Sequence, residues 1–180
     1  MTDPLGLETR DGLPDALRVL VREYPRTGWH HHENFTGMVQ FWMDRHTMFR
    51  RLLNALELDL ARHLDGQLAA SEYAPRLSRY GGHLLSELHM HHQIEDQHYF
   101  PMLMSLDERI SSGFDLLERD HQQIDGFLSE LATRANAVID GAEAGELNKH
   151  LTRMHTALDR HLTDEEDLVV PVVLASGFDG

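Results

Sequence analysis

One pattern occurs twice in this chain: a histidine, a glutamate four residues on, and a proline six residues beyond that. His91 and Glu95 are four residues apart, as are His161 and Glu165, and a proline follows each glutamate at the same interval, Pro101 and Pro171. Residues four apart lie on one face of a helix, one turn above the other. Each pair therefore aims an imidazole and a carboxylate in one direction. A nitrogen donor beside an anionic oxygen donor, presented twice, suits one or two intermediate transition-metal ions. The plain alternative is a pair of contacts between neighbouring turns on a helix surface.

Whether those pairs face inward depends on the helices that carry them. Four segments, about 34–64, 72–104, 112–139 and 146–174, space their apolar residues by alternating threes and fours, which predicts helices with one buried stripe. The first stripe is Trp42, His46, Phe49, Leu53, Leu56, Leu60. The second is Leu77, Gly81, Leu84, Leu88, His91, Glu95, His98, Met102. The third, entered at Ser112 as an N-cap, is Leu117, His121, Ile124, Leu128, Leu131, Ala135, Val138. The fourth is Leu151, Met154, Leu158, His161, Glu165, Leu168, Val172. His46, His91, Glu95, His121, His161 and Glu165 thus fall on core-facing lines. Burying one unpaired polar group costs about 2–7 kcal/mol, and a charged one more. Six together require that they satisfy one another or share a cation.

Short, Gly-marked links at 65–66, 111–113 and 141–145 join antiparallel neighbours. The expected fold is all-α, an up-down-up-down four-helix bundle over 34–176. An arm, 1–33, precedes it and carries a short amphipathic helix at 13–24 between Pro14 and Pro25. At 1.5 Å per residue, all six polar stripe positions fall in one layer, roughly 12–18 Å from one end of such a bundle. The stripes alone do not require that agreement.

Composition narrows the classes. The chain has 180 residues, 41% of them hydrophobic, enough for one domain with a proper core. It has no cysteine, which excludes disulfides, zinc–thiolate sites, iron–sulfur clusters and thiol catalysis. A net charge of −14 repels phosphate backbones and anionic lipid, so neither nucleic acid nor a membrane is an expected partner. The longest apolar run, 168–175, is too short to span a bilayer. The acidic N-terminus lacks an apolar signal core, and the expected location is cytoplasmic. Fourteen histidines are a large number for this length, and histidine is the commonest metal ligand.

With these residues in view, the chain resembles the hemerythrin/HHE cation-binding family. The stretches that carry the resemblance are His91-His92-Gln93-Ile94-Glu95-Asp96 with Phe100-Pro101, and His161 with Glu165-Glu166 and Pro171, together with single histidines in helices one and three. The resemblance spans about 34–174. It implies a centre of two non-haem irons, oxo- or hydroxo-bridged, which in the oxygen-carrying members uses five histidines and two bridging carboxylates. Carried onto this chain, His46 and His91 would hold one iron, His121 and His161 the other, and Glu95 with Glu165 or Glu166 would bridge them. The carriers have a second histidine one turn after that of helix three, where this chain has Asp125. Asp125 as a ligand would favour the ferric state and oxidative chemistry over reversible oxygen carriage. Glu166, one position off the stripe, is expected as an outer partner. His92 and Tyr99 are expected to pack or hydrogen-bond beside the stripe, His98 to lie near the site, and His30, His31 and His32 to be exposed.

The leading expectation is a di-iron protein that binds or reacts with oxygen, peroxide or nitric oxide, with peroxidase or oxidase activity left open. With no second domain in the sequence, signalling through an attached output domain is not expected. A ferritin-like di-iron carboxylate protein would need a Glu where helix one offers His46. A structural zinc would use four ligands, and the seven candidates His46, His91, Glu95, His121, Asp125, His161 and Glu165 exceed that.

Overall fold

A computed structural model describes residues 4–179; Met1 to Asp3, part of the stretch weighed as a signal sequence, lie outside the described residues. Among the described residues the secondary structure is helical throughout, with no strand. After a 3-10 turn, Asp15–Leu17, come α1 (Val19–Glu23), a second 3-10 turn (Arg26–His31), α2 (Gly37–Leu64) and α3 (Ala70–Ile94). A π-helical turn, Glu95–Tyr99, leads into α4 (Phe100–Leu103), followed by α5 (Ser111–Ile139) and α6 (Gly145–Ser176). Four long helices form a closed ring, α2 against α3, α3 against α5, α5 against α6, and α6 against α2. Short links reverse the chain between them, and left-handed glycines, Gly66 and Gly141, follow the ends of α2 and α5. Among the described residues no helix is long and apolar enough to cross a membrane.

The buried apolar residues form two clusters with a polar layer between. One holds Phe49, Leu53, Leu88, Ile124, Leu128, Leu158 and Leu162 among others. The second holds Val39, Trp42, Phe100, Leu117, Leu168 and Val172. His46, Glu95, His121, His161 and Glu165 are buried at the level where one cluster gives way to the other.

Three local expectations need correction. The second helix is not a plain α-helix to Met104. The Phe100 N–H bonds back five residues to the Glu95 carbonyl, so the turn takes in one extra residue. Beyond it Phe100 and Leu103 face the core, while His98 and Met102, expected on the stripe, are exposed. Pro101, which has no N–H to continue an α ladder, sits just past this turn. The short helix at 13–24 is broken at Arg18 into a 3-10 turn and α1. Ser112 is not an N-cap: α5 begins at Ser111, and no side chain caps it.

The arm lies along the bundle. Leu13, Leu17, Leu20 and Trp29 join the second apolar cluster, and Leu7 the first. Arg10 is buried and pairs with Asp120 of α5 and Asp164 of α6.

Candidate metal centre

Each long helix contributes to the polar layer: α2 supplies His46, α3 supplies His91 and His92, α5 supplies His121, and α6 supplies His161 and Glu165, while Glu95 opens the π turn. Their donor atoms form two groups. In one, donors of His46, His91, Glu95 and Glu165 all lie within 4.8 Å of one another; in the other, donors of His92, His121 and His161 do.

The carboxylates connect the groups. Glu95 places Oε1 2.8 Å from His91 Nε2 and Oε2 3.6 Å from His121 Nε2. Glu165 places Oε1 3.4 Å from His46 Nε2 and Oε2 3.3 Å from His161 Nε2. Each carboxylate thus turns one oxygen toward each set of histidines.

These approaches do not satisfy the polar atoms. Both Glu95 oxygens, Glu165 Oε2, His121 Nε2, His161 Nε2 and both ring nitrogens of His92 are buried without a hydrogen-bond partner. An unpartnered buried polar group costs about 1–3 kcal/mol, so seven such atoms turned to one layer need a common partner. A metal cation is the partner that lone pairs on imidazole and carboxylate share.

The outward-facing nitrogens are held instead by carboxylates. His46 Nδ1 lies 3.0 Å from Glu166 Oε1, His121 Nδ1 2.7 Å from Asp96 Oδ1, and His161 Nδ1 3.4 Å from Asp120 Oδ2. A proton kept on Nδ1 leaves the Nε2 lone pair free to bind a metal, the arrangement that orients histidine ligands. These carboxylates are anchored in turn: Glu166 by Arg50 at 2.6 Å and Arg26 at 2.8 Å, and Asp120 by Arg10. Trp42 Nε1–H donates to Glu165 Oε1 at 2.6 Å and steadies that bridge.

The protonation tendencies fit a cation. Burial pushes the His91 imidazole down to about 3 and His92 well below its ordinary range, so both present free lone pairs. Burial and then the charge of Glu165 push Glu95 well above the carboxylate range. Glu165 is held low: burial opposes its charge, but His46 and His161 outweigh it. Burial also disfavours a charged His161, yet Asp120 and Glu165 overcome this and raise it to about 9. Positive charge is thus favoured between the two glutamates, which is the role a metal ion would take.

Asp125 requires correction. It is exposed on the outer side of α5, with Oδ1 3.2 Å from His89 Nδ1, and does not join the layer. The inward line of α5 runs through His121, Ile124 and Leu128, and Asp125 falls beside it, toward solvent. His92, expected only to pack beside the stripe, lies in the layer with His121 and His161. Its ring stacks on His121 at 3.9 Å between centroids and meets His161 edge-on at 5.2 Å. His91 and His92 are successive residues about 100° apart on the helix, so one reaches the α2 side of the bundle interior and the other the α5 side. Reading the stripe as a line instead of an arc missed His92; the His-His doublet at the depth of the layer was the available signal. Asp96 and Asp120 share another, since each is the sequence neighbour of a clustered residue. His98, His30 and His31 are exposed, and His32 is half-buried, its Nδ1 accepting the Asn34 backbone N–H at 3.1 Å.

A search of curated proteins and a search of solved structures each found no match. A family model described as "Hemerythrin HHE cation binding domain" matches residues 37–173, which takes in α2, α3, α5, all but the last three residues of α6, and every residue of the polar layer. On that match the chain belongs to the hemerythrin HHE cation-binding family, a helical bundle with buried His/Glu groups that can hold metal.

Proposed function

We propose that the protein holds two non-haem irons and binds a small ligand, oxygen, peroxide or nitric oxide, at that centre. The observation that carries this reading is the pair of carboxylates, each turning one oxygen toward each histidine group. His46 and His91 would hold one iron, His92, His121 and His161 the other, with Glu95 and Glu165 between them. Five imidazoles and two carboxylates suit iron better than magnesium or calcium, which take oxygen donors. Bound there, the metals would supply the redox chemistry or ligand affinity. The chain's own residues set the donor geometry, keep Nδ1 protons outward and exclude water with two apolar clusters.

The His46/His91 group has one imidazole fewer than its neighbour. That makes it the side at which an outside ligand adds, and a cavity opens onto His91 and Glu95 there. With Asp125 at the surface, the argument for a ferric-biased, oxidative site loses its basis, and five imidazoles match the number that the family resemblance implies for oxygen carriers.

Reconstitution with ferrous iron under nitrogen, followed by metal analysis and absorption spectra with oxygen and azide, tests the reading. It expects two irons per chain, one for each donor group, and a coloured azide adduct. Protein that takes up one zinc, stays colourless and refuses iron would overturn it in favour of a structural ion in the four-donor group.

A further inference from the structure

The cavity above His91 is larger than a diatomic ligand needs. It has a volume of about 290 Å³ and lies between α2 and α3, with His91 and Glu95 at its floor and the Trp42 ring as one wall. A water molecule's share of liquid volume is about 30 Å³, and oxygen or peroxide needs little more. The volume instead approaches the range of small-molecule sites, roughly 300–1,000 Å³.

Its rim is apolar and in water. Phe41 is 67% exposed, Met90 52% and Ile94 42%, and all three border this one cavity. Large apolar side chains gathered at one concave opening mark a binding surface more often than chance exposure. The charged residues of the lining outside the floor are Arg45 and Glu87, which pair with each other at 2.6 Å and leave no net charge for an ionic ligand to meet. The floor is closed by two polar residues, His91 and the buried Glu95, whose Oε1 lies 2.8 Å from His91 Nε2.

We propose that this cavity binds an uncharged organic molecule with an apolar body about the size of a substituted benzene ring and one oxygen-bearing polar end. The body sits among Phe41, Met90 and Ile94, and the polar end points to His91 and Glu95. The neutral rim argues for an uncharged ligand, the apolar walls for its body, and the polar floor for its end. A concavity of this volume accepts a molecule and not the face of a second helix. The inference rests on the proposed metal centre only for the chemistry at the floor; the walls and rim stand without it.

The protein as purified, with its methionine methyl groups carbon-13 labelled, is titrated with 2-phenyl-2-propanol and observed by NMR. Met38 and Met90 line the cavity, while Met154 lies in the apolar cluster beyond the polar layer. The expected result is saturable shifts of the Met38 and Met90 methyls with Met154 unmoved. Phe41→Asp and Ile94→Lys, each at an exposed position, should weaken binding at least about tenfold, and benzoate, of similar shape but charged, should bind at least about tenfold more weakly. No saturable shift, equal binding by Phe41→Asp, or benzoate binding as tightly as the alcohol would overturn the proposal. So would shifts of the same methyls on raising protein concentration or adding phosphatidylcholine vesicles, with the alcohol unable to compete, since the occupant would then be a second copy or a lipid surface. An azide-responsive iron centre with silent methyls leaves the metal reading standing and removes this one. Methyl shifts in a protein that takes up no iron do the reverse.

Discussion

Three histidines of the polar layer have Nδ1 beside a carboxylate, at Glu166, Asp96 and Asp120, and are thereby set to offer Nε2 inward. His92 has no such support. It is buried, both nitrogens lack a hydrogen-bond partner, and its ring is held by stacking on His121 and an edge-on contact with His161. In an apolar setting such an imidazole destabilises the fold, so its presence argues for a cation it can reach. His92→Leu should therefore have opposite effects on two measurements. Stability of the metal-stripped protein should rise or stay level, while affinity for the second iron falls at least about tenfold, the scale at which even outer partners act. Asp125→Ala should change neither. Denaturation midpoints together with iron retained after dialysis check this, and a metal-binding loss in Asp125→Ala would return that residue to the ligand set. Glu166 gives a prediction in pH. Burial opposes its charge, but His46 and Arg50 outweigh burial and hold its carboxyl at about 2 instead of 4.5. A depressed carboxyl adds stability that is full above its unfolded value and disappears as pH falls from about 4.5 to about 2. The shift corresponds to about 3 kcal/mol. Glu166→Gln should remove this part of the pH dependence, so wild type and variant converge in urea midpoint toward about pH 2–3 and differ most near neutrality. A constant difference across that window would show that Glu166 is not held low.

Among the elements, the arm and the π turn matter most to the site. Arg10 lies outside the family match of 37–173, yet its guanidinium is buried between Asp120 and Asp164. Asp164 precedes Glu165 and Asp120 precedes His121, so the arm neutralises two carboxylates beside the donors. Arg10→Ala would take the guanidinium from Asp120 and leave Asp164 with Arg160 alone, at 2.7 Å, a change of about 3 kcal/mol. The arm should then be cut by protease well before the bundle, and the His161 side should release metal more readily. Arg10→Lys should recover only part, because one ammonium cannot match the fork that reaches both aspartates. An arm that stays protected in Arg10→Ala would mean that Leu13, Leu17, Leu20 and Trp29 hold it unaided. None of this is legible in the sequence: an arginine at position 10 carries no periodic signal, and pairings more than 100 residues apart depend on how helices meet. The long helices were readable because three-four spacing maps directly onto a buried face. That mapping held through Glu95 and failed at the π turn, where one extra residue moved the inward line from His98 and Met102 to Phe100 and Leu103. It missed His92 for a related reason, since a layer between four helices collects an arc of each helix and not a line.

For the molecule as a whole, the polar layer is both the weak plane and the tie. It separates two apolar clusters that would otherwise form one core, and places two glutamates and five histidines where packing would supply methyl groups. Each long helix contributes at least one donor, so no helix can leave the bundle with the layer intact. A cation in the His46 group would tie α2, α3 and α6, and one in the His92 group α3, α5 and α6, so the two groups together hold all four. Cations bind the folded chain far better than the unfolded one, whose donors are scattered over 120 residues from His46 to Glu165. Ligand linkage then stabilises the fold by about 2.7 kcal/mol at a free-metal concentration one hundred times the dissociation constant. Stripping the metal should lower the melting temperature by several degrees, since 1 kcal/mol shifts a domain of this size by about 2–4 °C. The distribution of the loss distinguishes this tie from a merely stabilising surface ion. Amide exchange should quicken on all four long helices at the level of the layer, and most around Glu95–Tyr99, where the π turn has already displaced the α ladder. The ends of the bundle remote from the layer, with Leu60, Tyr73, Leu131 and Leu147 packed together, should keep their protection. Exchange that quickens at the exposed His30–His31 segment and nowhere in the layer would place the metal at the surface instead. Equal melting of stripped and loaded protein would show that the seven unpartnered atoms are satisfied by something other than a cation.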